Sequence, residues 1–146
     1  MEYRLRHVAV LPVVNDDSVV MVRVKRPVIG DLTLELPAGG IEDGEDPAAG
    51  AARELIEEAG IEITELDRFA AMPPIAVSST RMPKLSYVFR VEVLEQEFAK
   101  RGPHDDEIHS VERIAIADLP GMMASGKIYV SVPLAVLGIF LIGRRT

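Results

Sequence analysis

Residues 39–61 read GGIEDGEDPAAGAARELIEEAGI, and this stretch decides the fold. Asp46 followed by Pro47 is typical of a helix start, because the aspartate caps free N–H groups and a proline at the first position has none to lose. Apolar side chains then recur at helical spacing as far as Gly60, a residue that commonly ends helices. The stretch therefore predicts a tight loop over residues 37–40, followed by a helix over residues 47–59.

Three acidic side chains, Glu54, Glu57 and Glu58, stand at spacings i, i+3 and i+4 and so share one face of this helix. Like charges at this spacing destabilise a helix by about 0.2 to 0.5 kcal/mol per pair. The cluster also lies in the carboxyl half, where the helix dipole disfavours anions. A solvated acidic face is the simple alternative. Because magnesium is commonly held by carboxylates together with substrate phosphate oxygens, we interpret the cluster as a magnesium–phosphate site.

The rest of the chain predicts an α/β sandwich, because strands alternate with few helices. The opposite face of the glutamate helix is expected to be core, and it carries Ala51, Ala52, Leu55, Ile56 and Ala59. Strands are predicted at residues 7–14, 19–25, 33–36, 66–71, 85–93 and 111–116. Two further helices are predicted at residues 118–124 and 133–142.

Composition excludes several classes of protein. The chain has 146 residues and no cysteine, which predicts one domain over residues 1–146 without disulfides or a thiolate metal site. Its net charge of −7 argues against nucleic acid as a partner, since binding a phosphate backbone needs a basic surface. The apolar stretch 128–142 is too short to span a bilayer, and no secretory signal is recognised. A cytoplasmic location without membrane partners is expected.

The same 23 residues match every fixed position of the Nudix box, namely Gly39, five residues, Glu45, seven residues, and the run RELIEEAGI that begins at Arg53. The chain therefore resembles the Nudix hydrolase family. This resemblance implies an α/β/α sandwich with a mixed β-sheet between helices. It also implies dependence on Mg²⁺, with Mn²⁺ as a substitute, and hydrolysis of the diphosphate linkage in a nucleoside diphosphate derivative.

The family pattern assigns a role to each matching residue. Metal ligands, directly or through water, would be Glu54, Glu57, Glu58 and the backbone carbonyl of Ala38, with Glu57 also catalytic. Structural roles in the motif fall to Gly39, Glu45, Arg53 and Gly60, of which Glu45 and Arg53 brace the loop on the helix. A general base is expected from a loop outside the box, and Glu107 in the acidic run 104–107 is our choice. An ordinary polar surface loop is the alternative reading.

The substrate is predicted from residues around the box. Arg26 and the run LELPAG over residues 34–39 resemble the ADP-ribose pyrophosphatase and nucleoside diphosphate sugar hydrolase branch, so Arg26 and Glu35 are predicted to bind substrate. Relatives of this branch are often homodimers, and the apolar segment 128–142 would suit such an interface or an internal core. Two alternatives stay open: a house-cleaning nucleoside triphosphate pyrophosphohydrolase, and a Nudix-like domain that binds a nucleotide metabolite without cleaving it.

Overall fold

The computed structural model describes residues 5–81 and 84–144. Within this part of the chain the strands are β1 (Leu5–Val14), β2 (Ser18–Arg26), β3 (Asp31–Glu35), β4 (Ala38–Gly40), β5 (Phe69–Ala76), β6 (Lys84–Val93) and β7 (Ile108–Ala115). The helices are α1 (Pro47–Ala59), α2 (Glu95–Ala99), α3 (Leu119–Ala124) and α4 (Ser131–Gly143). Short 3-10 turns at Leu66–Arg68 and Ile116–Asp118 precede β5 and α3.

All of these strands join one mixed sheet with β1 and β2 at its centre. The main order is β3-β2-β1-β6-β5, while β4 pairs with β1 and β7 with β2. β1 runs parallel to β6 along its whole length, and the other pairings are antiparallel. A tight turn joins β1 to β2, and Asn15 and Asp16 take φ values of 53° and 52° in it. Positive φ at both positions matches the twist of a hairpin.

Side-chain alternation along the central strands sends apolar residues to both faces of the sheet. One face packs Val8, Val10, Val20 and Val22 against α1. The other packs Leu11, Val13, Val19 and Met21 against α4. Because both faces are covered by helices, residues 8–14 of β1 and 19–22 of β2 are apolar on both faces of the sheet. The predicted α/β/α sandwich with a mixed sheet between helices is therefore confirmed.

Helix α1 begins and ends where the sequence predicts. The Asp46 carboxylate accepts a hydrogen bond from the amide of Ala48 at 3.1 Å, and Pro47 occupies the first turn. At the other end Gly60 has a φ of 70° and donates its amide to the carbonyl of Ile56 at 2.9 Å. One core prediction is wrong, because the Ile56 side chain is 41% exposed. It lies at the edge of the apolar face and borders the segment after α2.

Three predicted boundaries are corrected by the structure. Residues 66–68 form a 3-10 turn instead of a strand, and β5 continues through Pro73 and Pro74, which were assigned to a loop. β5 tolerates them because it is an edge strand whose register against β6 shifts between Met72 and Ile75. β7 begins at Ile108, three residues earlier than predicted. Helix α2, which has only five residues, was not predicted.

The predicted loop over residues 37–40 contains a short strand. Backbone pairing aligns His7, Val8 and Ala9 of β1 with Gly40, Gly39 and Ala38 of β4, respectively. The pairing places the glycines beside the central strand, and residues 41–46 connect them to helix α1. In the described part of the chain, no helix combines the length and the apolar character that crossing a membrane requires.

Candidate active site

Arg53 is the centre of a charged network at the start of the site. Its Nε and Nη2 atoms donate to the Glu45 carboxylate at 3.0 and 2.9 Å, and Nη2 also donates to the Gly40 carbonyl at 2.9 Å. Its Nη1 atom donates to Glu54 at 2.9 Å and to Glu57 at 3.4 Å. The guanidinium thus ties the acidic loop to α1 and holds two of the three clustered glutamates.

Replacing Arg53 with lysine is expected to destabilise the fold by about 2 kcal/mol, because an ammonium cannot reproduce the planar fork that reaches several acceptors at once. Urea unfolding measures the change. Arg81→Lys is the matched control, since the Arg81 side chain is exposed and has no hydrogen-bond partner among the described residues. Equal stability of the two variants would contradict a bracing role for Arg53.

Two of the three clustered glutamates are buried. Glu54 is 6% exposed and Glu58 is 7% exposed, whereas the side chain of Glu57 is 42% exposed. Burial raises the pKa of Glu54 to about 7 and that of Glu58 to about 8, and neighbouring carboxylates add to both shifts. The amide of Ala38 donates to Glu58 at 2.8 Å and opposes its shift. Burying several acids beside one another is costly unless a cation compensates their charge.

Gly39 leaves the space that the Glu54 carboxylate occupies. A Cβ atom added to Gly39 would collide with that carboxylate, so a side chain at this position would displace it. This explains in steric terms why the loop carries glycine here, although its φ is not positive. Gly60 has a different reason, since its left-handed backbone lies against the carbonyl of Gly102.

The loop after α2 brings further carboxylates to the cluster. The amide of Asp105 donates to the carbonyl of Glu57 at 2.8 Å, and the amide of Lys25 donates to the carbonyl of Glu107 at 3.1 Å. Asp105 adds to the raised pKa of Glu54, and Glu107 adds to that of Glu58. The structure therefore places Glu107 beside the glutamate helix. Sequence analysis did not single out Asp105, although it lies in the same acidic run.

The donor set suits a hard divalent cation, because it consists of carboxylate oxygens with a large excess of negative charge. Among residues 5–81 and 84–144, no group of three acidic or histidine side chains is already gathered for metal binding. The existing hydrogen bonds explain this arrangement, since Arg53 holds Glu54 and Glu57 while the amide of Ala38 holds Glu58. A cation would draw these side chains together by replacing those partners.

A cavity of about 220 Å³ adjoins the cluster at Ala38. Its lining is His7, Ala9, Arg26, Glu35, Leu36, Ala38, Val77, Lys84, Val130, Ser131, Val132 and Pro133. Both predicted substrate-binding residues line it and are bonded to each other, with Arg26 Nε and Nη2 donating to Glu35 at 2.8 and 3.0 Å. His7 and Lys84 were not predicted as site residues, because each is one polar position in an alternating strand.

Without a divalent cation, stability is expected to fall as the pH rises from 6.5 to 8. The pKa values of Glu54 and Glu58 rise from 4.5 to about 7 and about 8, so the folded protein keeps protons that the unfolded chain releases. Stability then decreases with pH. His7, with a pKa lowered from 6.5 to about 4, acts in the opposite sense, but only below pH 6.5. Urea titrations in EDTA across the window test this.

Glu58→Gln removes one of the two titrating groups and should flatten the dependence of stability on pH. A wild-type protein whose stability stays constant or increases from pH 6.5 to 8 would show that these carboxyl groups ionise normally in the folded state.

The chain is similar in sequence to a known domain family and to proteins that belong to it. The model of the NUDIX domain matches residues 4–131. The chain is 31% identical over 125 residues to an ADP-ribose pyrophosphatase of Bacillus subtilis (strain 168). The aligned region covers 84% of this chain and 64% of that protein. It is 44% identical over 73 residues to an ADP-sugar pyrophosphatase of Mus musculus, covering 46% of this chain and 34% of that protein. The matches thus span less than two thirds of these relatives.

A solved structure described as an ADP compounds hydrolase has the same fold. It superimposes with a TM-score of 0.75 at 16% identity, covering 98% of this chain and 76% of that one. At this identity the likeness concerns the fold alone.

Proposed function

The chain belongs to the Nudix domain family, and we therefore propose that it is an enzyme that hydrolyses the diphosphate linkage of a nucleoside diphosphate derivative with Mg²⁺. ADP-ribose or a nucleotide sugar is the proposed substrate, in line with the relatives named for ADP-ribose and ADP-sugar cleavage. One observation carries the proposal: Ala38 bonds the buried Glu58 and also lines the cavity that contains Arg26. The acids and the cavity thus form one site.

Members of this family generally use divalent metal ions. In our proposal Glu54, Glu57 and Glu58 hold the cation together with the carbonyl of Ala38, while Arg53, Glu45 and the glycines keep the loop on the helix. A bound divalent cation would neutralise phosphate oxygens and acidify water. Mg²⁺ is the proposed ion and Mn²⁺ its substitute, because both accept hard oxygen ligands.

Glu107 is proposed as the general base. Its loop is fixed on two sides, through its carbonyl to Lys25 and through Asp105 to the end of α1. Its negative charge is also one of the contributions that raise the pKa of Glu58, which supports a position near the site. A carboxylate held there can accept the proton that the attacking water loses.

Arg26 is proposed to bind a phosphate or ribose oxygen. Its side chain is 48% exposed, and Glu35 fixes the guanidinium through Nε and Nη2. The Nη1 atom then has no hydrogen-bond partner among the described residues, so it can donate to a ligand. Glu35 is 7% exposed and also accepts from Thr33, so it acts mainly by orienting Arg26.

Assembly as a homodimer and a cytoplasmic location stay predictions. Segment 128–142 contributes Ile128, Val136, Leu137 and Phe140 to the core, which uses much of its apolar surface internally. Ile142, at 70% exposure, is its most exposed large apolar side chain.

A product-release panel with Mg²⁺ tests the proposed reaction. It covers ADP-ribose, nucleotide sugars, nucleoside triphosphates and dinucleoside polyphosphates. We expect ADP-ribose or a nucleotide sugar to be cleaved with the highest kcat/KM, with two monophosphate products. Preferred release of pyrophosphate from triphosphates would identify a house-cleaning enzyme instead. Binding of a nucleotide metabolite without turnover of any compound would contradict the enzyme proposal.

A further inference from the structure

Two polar side chains in the cavity have no part in the proposed catalysis. His7 lies on β1 and Lys84 begins β6, the parallel neighbour of β1. Both side chains line the cavity that Ala38 connects to the glutamate cluster. In the parallel register His7 pairs with Ser86, and Lys84 lies two residues before Ser86, so His7 and Lys84 share one face of the sheet.

The His7 ring is held in one orientation. Its Nδ1 atom forms a hydrogen bond of 2.8 Å with the hydroxyl of Ser86, which is completely buried. Burial and then the charge of Lys84 lower the pKa of His7 to about 4, so the imidazole is neutral at neutral pH. Its Nε2 atom has no hydrogen-bond partner among the described residues. A neutral imidazole fixed in this way suits a hydroxyl group, because a hydroxyl can donate to or accept from Nε2 according to the tautomer.

Lys84 carries a positive charge that the nearby Glu35 carboxylate does not neutralise. It has no ion pair among the described residues, and the nearby carboxylate of Glu35 is already bonded to Arg26 and Thr33. An ammonium on the wall of a small cavity attracts an anion more strongly than one on an open surface, because the protein excludes part of the water.

The size and lining of the cavity limit what fits. At about 220 Å³ it is smaller than the roughly 300 to 1,000 Å³ of pockets that hold a complete drug-sized ligand. It therefore accepts one half of a nucleotide sugar. The described lining contains no aromatic ring on which a base could stack, and its polar groups are cationic or neutral apart from the paired Glu35. These features match a phosphorylated sugar better than a nucleobase.

We propose that this cavity binds the sugar-phosphate half of the substrate, with the Lys84 ammonium on the phosphate and His7 Nε2 on a sugar hydroxyl. The nucleobase then lies outside it. This inference rests on the proposed function. It goes further by stating which half of the substrate the cavity binds. Lys84 and His7 are specificity-determining residues in this account, since neither contacts the glutamate cluster.

The test measures binding of single halves by calorimetry, which requires no turnover. The ligands are ribose 5-phosphate, inorganic phosphate and adenine, applied to the full chain with Mg²⁺. Lys84→Met should lower the affinity for ribose 5-phosphate and for inorganic phosphate by about tenfold, as expected for a lost charge-assisted contact. His7→Leu should lower the affinity for ribose 5-phosphate by about fivefold and leave the affinity for inorganic phosphate unchanged, because only the hydroxyl contact is lost. Lys127→Met, at an exposed site, is the control.

His7→Gln guards against a folding defect, since glutamine keeps a hydrogen-bonding group, and it should recover part of the affinity for ribose 5-phosphate. Unchanged affinity for ribose 5-phosphate in both Lys84→Met and His7→Leu would overturn the inference. Adenine binding that either Lys84→Met or His7→Leu weakens would overturn it as well, because it would place the base in the cavity. The panel of the preceding subsection reports on the reaction separately, so a catalytic failure and a failure of this assignment are distinguishable.

Discussion

Glu57→Gln is expected to lower kcat by at least about 100-fold while the protein stays folded, because the proposed cation that stabilises the transition state loses an anionic ligand. The side chain of Glu57 is 42% exposed and has one long hydrogen bond, to Arg53 at 3.4 Å. Neutralising it therefore removes little folding energy. Steady-state kinetics at saturating Mg²⁺ on the preferred substrate measure the effect, and circular dichroism checks the fold.

Glu62→Gln is the matched control for this prediction. Glu62 is an exposed acid four residues beyond the cluster and has no ion pair or hydrogen bond to its side chain among the described residues. Its substitution should leave kcat within about twofold of wild type, as is usual for a surface change away from the site. A Glu57→Gln enzyme as active as the control would remove Glu57 from the mechanism.

Gly60→Ala is expected to destabilise the protein by about 3 kcal/mol or more. Two effects add at this position. The backbone φ of 70° is costly for a residue with a side chain, and the added Cβ would collide with the backbone carbonyl of Gly102. Gly102 in turn donates its amide to the Gly60 carbonyl at 2.8 Å, so it cannot move away freely. Chemical unfolding in urea gives the change in free energy.

Gly44→Ala separates the two effects. Gly44 has a φ of 75°, close to that of Gly60, but a Cβ there would have open space around it. Only the conformational cost applies, about 1 kcal/mol. Similar destabilisation by both substitutions would mean that contact with Gly102 contributes nothing.

The sequence predicts best where short-range chemistry decides the structure. The ends of α1 follow from Asp46, Pro47 and Gly60, since capping and positive φ depend on adjacent residues. Strands β1 and β2 follow from valine-rich runs whose two faces are both buried. The glutamate cluster follows from helical spacing alone.

The sequence predicts poorly where distant partners decide. β4 exists because β1 offers it a pairing edge, and β5 passes through Pro73 and Pro74 because no strand of the described residues pairs on its outer side. Helical spacing places Glu54, Glu57 and Glu58 on one face and predicts no difference in their exposure to solvent. Tertiary packing buries two of them and leaves Glu57 partly exposed, which no local pattern reveals.

The same limit applies to the cavity. Lys84 reaches it through the parallel pairing of β6 with β1, a contact between segments almost eighty positions apart. His7 owes its neutral state to burial and to Lys84, and its orientation to Ser86. A single sequence shows none of these relations.

In the proposed mechanism the clustered glutamates bind a divalent cation beside the bound diphosphate. Crystals grown with Mn²⁺ and a non-hydrolysable ADP-ribose analogue test it most directly, because anomalous scattering locates manganese without ambiguity. We expect manganese in contact with carboxylate oxygens of at least two of Glu54, Glu57 and Glu58 and with a phosphate oxygen of the analogue. An analogue bound in the cavity with no manganese at these side chains would contradict it.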